Sequence, residues 1–332
     1  MEESIEDHCA TVVREMVRGR VIPVLGAGVN LYGRPPGTAW VPGTFLPSAD
    51  ELTRHLAERF GYPRGETLDL VRVSEYASVM LGSGPLYDEL HQLFDANYPI
   101  GPVQHFLAEL PRRLRRADRP GCCPLIITTN YDDALERAFA GTNGNGEPFD
   151  LVSYIADGDH RGKFAHWPPG GRPTLIEIPN QYSQLKPGEQ TVILKIHGAV
   201  DRGPDAEWDS YVITEDHYID YLARTEIHNL VPVKLTALLS RSHFLFLGYS
   251  MRDWNLRVIL HRIWGEQKLR YNSWAIQHDP DQLDRKFWEK RGVDVLDVPL
   301  EEYVPALTAA LETELGQQAG QQPAAPREPA GP

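Results

Sequence analysis

The stretch ITTNYDDALERAF, Ile127 to Phe139, begins as a run of β-formers and ends as a helical pattern, with Asn130 and Asp132 on the turn between them. In a buried α/β sheet the carboxyl end of a strand is where ligands sit, so polar residues there mark a candidate site. Other apolar runs are bounded in the same way: RVIPVL before GAGVN at 26–30, TVILKIHG at 191–198, HFLFLGYS at 243–250, SWAIQHD at 273–279 and GVDVLDVP at 292–299. Each is too short for a helix and too continuous for a half-exposed strand, which suits strands buried on both faces of a parallel sheet. Helical patterns lie around them, at residues 3–18, 49–60, 68–81, 85–96, 102–116, 131–140, 214–239 and 252–264. The expectation is an α/β fold: a doubly wound, mainly parallel Rossmann-like sheet with helices on both faces and right-handed crossovers.

Length and composition bound the rest. The 332 residues, 42% hydrophobic and 24% charged, suit a globular chain. A formal charge of −13 argues against a mainly electrostatic nucleic-acid binder. The arginines of RRLRRADR, 112–119, read as a solvated helix end. Three cysteines, Cys9, Cys122 and Cys123, with no CxxC pair, offer neither a disulfide framework nor a zinc ribbon, and a reducing cytoplasm fits best. The first residues, MEESIEDHCATVVREM, are acidic where a signal peptide is basic, and no apolar run approaches the roughly 20 residues of a membrane span. Residues 1–312 read as one domain. Within it the Gly/Pro-rich segment 141–190 reads as a loop or small hairpin inserted between two core strands, with Trp167 a candidate lid residue. Residues 316–332 read as a disordered tail or linker. His160 and His166 lie in the insertion without the carboxylate spacing a metal site needs, so no metal is expected.

Four strands deliver polar or Gly-rich turns to one edge. GAGVN ends the first with Gly26 and Gly28, which let a phosphate approach backbone N–H groups, although the third glycine of a dinucleotide fingerprint is absent. Asn130 and Asp132 end the second, His197-Gly198 the third, and Gly248-Tyr249-Ser250 with Asp253 the fourth. Asp132 and Asp133 also suit a helix N-terminus with Asn130 as its cap, and Ser250 and Asp253 suit another.

GAGVN, TTNYDDALE, KIHGAVD and LFLGYSMRDWN, in that order and across about residues 10–310, resemble the motifs of the sirtuin family, and more closely the sirtuin-like domains of bacterial anti-phage defence proteins. The resemblance implies NAD as substrate, held across the strand edge. Gly26, Ala27 and Gly28 would contact the pyrophosphate, with Asn30 and Thr129 beside it. Asn130 would position a water or the nicotinamide ribose, Asp132 would meet the carboxamide, and His197 would be the base near the ribose hydroxyls. Gly248, Ser250 and Asp253 would hold the phosphate or adenosine side. Two positions depart from the family pattern: Asn30, where it has Ser, and Tyr249, where its protein-modifying members have a small residue.

The chemistry suits these residue types. In NAD the glycosidic bond joins a cationic pyridinium to ribose, so nicotinamide leaves neutral. The enzyme must stabilise an oxocarbenium-like ribose, bring in water and take up a proton, tasks for an amide carbonyl, a carboxylate and a histidine of pKa near 6.5. Family members that deacylate proteins carry a four-cysteine zinc module between the HG motif and the GxS strand, and residues 199–247 hold no cysteine. The reading is therefore an NAD+ glycohydrolase of anti-phage defence that yields nicotinamide and ADP-ribose. The alternatives are an NAD-dependent deacylase or ADP-ribosyltransferase, and a non-catalytic NAD or ADP-ribose sensor. Its partners by the same analogy are a second copy of itself, an ATPase, an Argonaute-like protein or a sensor domain.

Overall fold

A computed structural model of the chain describes residues 4–118, 124–141, 146–203, 205–223, 231–249 and 271–319. Its strands are β1 Val21–Leu25, β2 Leu125–Thr128, β3 Phe149–Tyr154, β4 Phe164–Trp167, β5 Thr174–Ile176, β6 Thr191–Lys195, β7 His243–Leu247, β8 Ser273–Gln277 and β9 Val293–Asp297. Among the described residues they form one sheet in the order β5-β4-β3-β6-β2-β1-β7-β8-β9. Every pair from β3 to β9 is parallel, and only β4 and β5 at one end run antiparallel.

The continuous apolar runs have the expected cause. Side chains alternate across a strand, and here both faces are covered. Ile22, Val24, Phe244 and Phe246 point into one core with Tyr221 of α7 (Glu215–Ala223), Leu235 of α8 (Val233–Leu239) and Trp288 of α9 (Gln282–Glu289). Val21, Leu25, Leu245 and Leu247 point into the other, with Val12 of α1 (Ile5–Val17), Leu107 of α5 (Pro102–Arg116) and Leu307 of α10 (Leu300–Ala319). A third cluster, from α2 (Ala49–Arg59), α3 (Leu70–Leu81) and α4 (Ser83–Phe94), packs on Tyr131 and Tyr211. It thus grips the turn after β2. Successive strands move away from β1 on one side through β2, and on the other through β7, so the carboxyl ends of β1, β2 and β7 enclose a topological switch point.

Several segments differ from their sequence reading. The pattern at 214–239 is not one helix: α7 opens with the Thr214 hydroxyl accepting from the His217 N–H at 3.2 Å, and α8 starts afresh after Pro232, which lacks an N–H and sits at φ −53°, ψ 140°. The 131–140 helix, α6, spans only Ala134–Ala140, because the Asp132 side chain accepts from the Ala134 N–H at 3.0 Å and holds the turn open. Segment 141–190 is more than an inserted loop, since β3 joins the parallel sheet beside β6 while β4 and β5 continue it as a hairpin. His166 on β4 spends both ring nitrogens on protein partners, Asp150 at 2.8 Å and Tyr182 at 2.6 Å. Helix α9, capped by Asp281, buries just Trp288, so its apolar stripe is too thin to announce it. Helix α10 runs to Ala319, into the segment read as tail. The α5 arginines are engaged, Arg113 with Glu109 at 2.7 Å and Arg112 with Glu147 at 3.6 Å. Cys122, Cys123 and the 252–264 pattern lie outside the described residues. No described helix is long and apolar enough to cross a membrane.

Helices α1 and α10 meet through His8, whose Nε2 lies 3.3 Å from the Tyr303 hydroxyl and whose ring meets Trp274 edge-on at 6.0 Å. Burial pushes the His8 pKa from 6.5 down to about 4. Between those values the unfolded chain binds a proton that the native state refuses, so stability falls as pH drops through the window, by about 1.4 kcal/mol per pH unit. Replacing His8→Phe is expected to remove its share of that slope, leaving the share of His197 and His217, whose pKa values burial also lowers, measured as a smaller shift in urea midpoint between pH 7 and pH 5.

Candidate active site

The end of β1 is built on glycine. Gly26 donates its N–H to the Leu247 carbonyl at 3.0 Å, and Gly28 donates to the Gly248 carbonyl at 2.9 Å. A Cβ on Gly26 would stand 2.7 Å from the Gly248 oxygen, and one on Gly28 2.6 Å from it. Gly248 itself sits at φ +68°, where a Cβ would meet the Val29 nitrogen at 2.2 Å. The glycines therefore join the turn after β1 to the turn after β7. The N–H groups of Gly26 and Gly28 are themselves committed to that join.

The turn after β2 is tied back to β1. The Thr128 hydroxyl donates to the Leu25 carbonyl at 3.1 Å, and Asn130 donates its amide to the Gly26 carbonyl at 3.2 Å. Asn130 is thus a tether rather than the cap of α6, and its side-chain carbonyl is the end left for the cavity. Thr129 accepts from the Tyr249 hydroxyl at 2.8 Å, which closes the gap between the β2 and β7 ends. Tyr249, a departure from the family pattern, acts as a strut.

Asp132 is 5% exposed and held at three atoms. One carboxylate oxygen accepts from the Ala134 N–H at 3.0 Å, and the other from the Asn30 side-chain amide at 3.1 Å. Its backbone carbonyl accepts from Lys195. Lys195, 1% exposed at the end of β6, pairs in turn with Glu136 of α6 at 2.6 Å. Asp133 faces elsewhere, toward Arg202 at 2.6 Å and Arg137 at 2.9 Å.

His197 follows β6 and is 5% exposed. Tyr218 and Tyr221 meet its ring edge-on at 5.6 and 6.0 Å. Its Nε2 is buried without a hydrogen-bond partner. Burial in this aromatic setting pushes the pKa from 6.5 to about 3, so the expectation of an imidazole near its ordinary value is not met. At neutral pH His197 is uncharged, able to accept or donate one hydrogen bond at the orphaned nitrogen.

These residues surround one cavity of about 670 Å³ at the switch point. Gly26, Ala27, Gly28, Asn30, Thr129, Asn130, Asp132, His197 and Gly248 all line it. Its far wall comes from Gln277 and His278 at the end of β8, Glu301 at the start of α10, and residues 47–50 and Leu52 around the start of α2. Ser250 and Asp253 lie outside the described residues. Trp167 does not line the cavity; it meets Trp208 edge-on at 5.8 Å. Among the described residues no three His, Cys, Asp or Glu side chains are placed to hold a metal ion. Sequence reasoning missed Lys195 and Gln104, the latter 2% exposed on α5 and donating to the Asn30 carbonyl at 3.0 Å. Each carried a signal, as a lone polar residue in an otherwise apolar strand or helix face.

Along this mainly parallel α/β sheet, a family model described as a SIR2-like domain matches residues 124–296, just over half of the chain. The chain belongs to the SIR2-like family. It is 33% identical over 215 residues to the NAD(+) hydrolase ThsA of Acinetobacter baumannii (strain 532279), covering 64% of this chain and 35% of that protein. It is 24% identical over 237 residues to the NAD(+) hydrolase ThsA of Cytobacillus dafuensis, covering 71% and 37%. Defense-associated sirtuin 2 of Bacillus subtilis matches at 22% over 176 residues, covering 52% and 14%. The chain thus spans little more than a third, or less, of the length of these curated relatives. Among solved structures, a Sir2 homologue in complex with NAD aligns over 92% of this chain and 94% of that one, at 15% identity and a TM-score of 0.38.

Two substitutions test this geometry. Gly248→Ala forces a side chain into a left-handed backbone against Val29, and is expected to cost upwards of about 2 kcal/mol, read as a lower Tm. Lys195→Met leaves Glu136, whose carboxyl burial already pushes upward, without its cation. Breaking a buried pair by one partner costs about 3–5 kcal/mol, whereas Lys195→Met with Glu136→Gln should recover much of that in urea denaturation.

Proposed function

We propose that this chain is an NAD+ glycohydrolase that converts NAD+ and water to nicotinamide, ADP-ribose and a proton, as an effector of anti-phage defence in the cytoplasm. The observation that carries the reading is the unpartnered Nε2 of His197, buried at a cavity that also receives Asn130 and the clamped Asp132. A buried polar atom without a partner is costly in a protein that binds nothing there. The two relatives named as NAD(+) hydrolases, and one named as a defence-associated sirtuin, support the same reading.

Roles follow from the donors and acceptors available. Asp132, an acceptor with both oxygens oriented by N–H groups, suits the N–H of the nicotinamide carboxamide. When the bond from the nicotinamide nitrogen to the ribose carbon breaks, the electron pair leaves with nicotinamide, which becomes neutral. On this reading the Asn130 carbonyl holds the water that adds to that carbon, and neutral His197 accepts from a ribose hydroxyl. A second copy of the chain, or an associated ATPase, Argonaute-like or sensor partner, would restrain such an activity until infection.

The test is NAD+ consumption by the purified chain, with nicotinamide and ADP-ribose quantified beside Asn130→Ala and His197→Ala. Both variants are expected to lose at least about 10²-fold in rate. Because His197 is neutral far below pH 6.5, the acid limb of wild-type kcat/KM should fall well under that value. Label from NAD+ appearing on protein instead of as free ADP-ribose would replace hydrolysis by ADP-ribosyl transfer. Release of acetyl from peptides in step with NAD+ loss would replace it by deacylation.

A further inference from the structure

We propose that Gln104 is a positioning residue that fixes the polarity of Asn30 and, through it, the orientation of the Asp132 carboxylate toward the nicotinamide end of the substrate; this rests on the glycohydrolase reading. Gln104 touches no cavity surface. It sits on the buried side of α5 beside Val103 and Leu107, and donates its side-chain N–H to Asn30 Oδ1 at 3.0 Å. Asn30 donates in turn to Asp132 Oδ2 at 3.1 Å.

A side-chain amide can present either its oxygen or its nitrogen, and the two amides here allow four combinations. Only one avoids setting two acceptors against each other. If Asn30 turned its oxygen to Asp132, carbonyl would face carboxylate. If Gln104 turned its oxygen to Asn30, two carbonyls would meet. The combination in the structure sends both N–H edges in one direction, from Gln104 to Asn30 to Asp132. Asp132 demands a donor, and Gln104 ensures that Asn30 supplies it. The Ala134 N–H and Lys195 then hold the other carboxylate oxygen and the Asp132 carbonyl. Remove the Gln104 donor and the Asn30 side chain loses one of its two anchors, free to swing away from Asp132 and leave that carboxylate attached at one oxygen only.

Gln104 Oε1 is buried with no hydrogen-bond partner, so replacing the amide by the similarly shaped Met strands no partner of that oxygen. The experiment compares wild type, Gln104→Met and Gln104→Glu, measuring kcat and KM for NAD+, inhibition by nicotinamide, and binding of ADP-ribose, which lacks the nicotinamide end. Gln104→Met is expected to raise the NAD+ KM and the nicotinamide inhibition constant together, by about ten-fold, to leave ADP-ribose binding as in wild type, and to lower Tm only by the small amount that one lost hydrogen bond costs. Gln104→Glu tests polarity directly. As a carboxylate it draws the Asn30 N–H edge to itself and turns carbonyl toward Asp132. As a carboxylic acid it donates to Asn30 as glutamine does. Its activity relative to wild type at each pH should rise as pH falls.

If Gln104→Met matches wild type in both nicotinamide-dependent constants, or weakens ADP-ribose equally, the proposal is overturned. Should the Met variant not fold, a Gln104→Glu to wild-type ratio that is flat with pH overturns it instead. A wild type that neither binds nor cleaves NAD+ overturns the glycohydrolase reading, and this one with it. Cleavage by wild type with unchanged variants overturns this one alone.

Discussion

The Gly248 carbonyl, lodged against Gly26 and Gly28, is the contact on which the site depends. It brings the turns after β1 and β7 to backbone distance on either side of the switch point. With that distance set, the Gly26 carbonyl is placed to receive Asn130, and the short helical turn Ala27–Asn30 delivers Asn30 to Asp132. Each later contact uses an atom that the earlier one positioned. The absence of side chains at these glycines is therefore a packing requirement before it is a ligand-binding device, and the two readings of a Gly-x-Gly turn diverge on where the N–H groups go.

At the cavity, Asp132 and His197 have opposite surroundings. Asp132 is ringed by donors: a backbone N–H, an asparagine amide and, at its carbonyl, a lysine. His197 is ringed by tyrosine faces and edges and has nothing to bond at Nε2. Environments that treat a carboxylate and an imidazole so differently separate an acceptor of fixed direction from a neutral group with an open valence. Lys195 belongs to the first arrangement although it lies a strand away, because β6 runs beside β2 and carries the lysine under the Asp132 carbonyl before placing His197 two residues on.

The sheet was legible because burial on both faces writes an unbroken apolar run, and the site because parallel strands bring their turns to one edge. Asn130, Asp132 and His197 could be chosen from type and place in the chain. What they touch could not, since the Asn30–Asp132 and Gln104–Asn30 bonds join residues 102 and 74 positions apart. Segment 141–190 misled because Gly and Pro dominate its composition while β3 needs only six residues to enter the sheet. The single helix read over 214–239 failed at Pro232, where apolar spacing continues but the hydrogen-bond ladder cannot. The pKa of His197 was out of reach for a related reason: the shift comes from burial of the ring, and a sequence gives no burial for a residue that ends a strand.

That depressed pKa bears on how the proposed hydrolysis would manage its proton. An imidazole at about 3 is a weak base, poorly suited to take a proton from water or a ribose hydroxyl. The same burial that weakens it also makes it sensitive, because a charge brought into a low-dielectric site acts on its neighbours far more strongly than in water. In NAD the positive charge already sits on the pyridinium and passes to the ribose as the bond breaks, so until water captures the cation a positive charge at that end keeps the pKa of a nearby imidazole down, while the diphosphate acts in the opposite sense from farther along the substrate. On the proposed reading the imidazole is thus discouraged from holding a proton while the cation persists, and is strengthened as a base once water has removed that charge. Proton uptake would then follow capture of the cation by water, the order that hydrolysis requires.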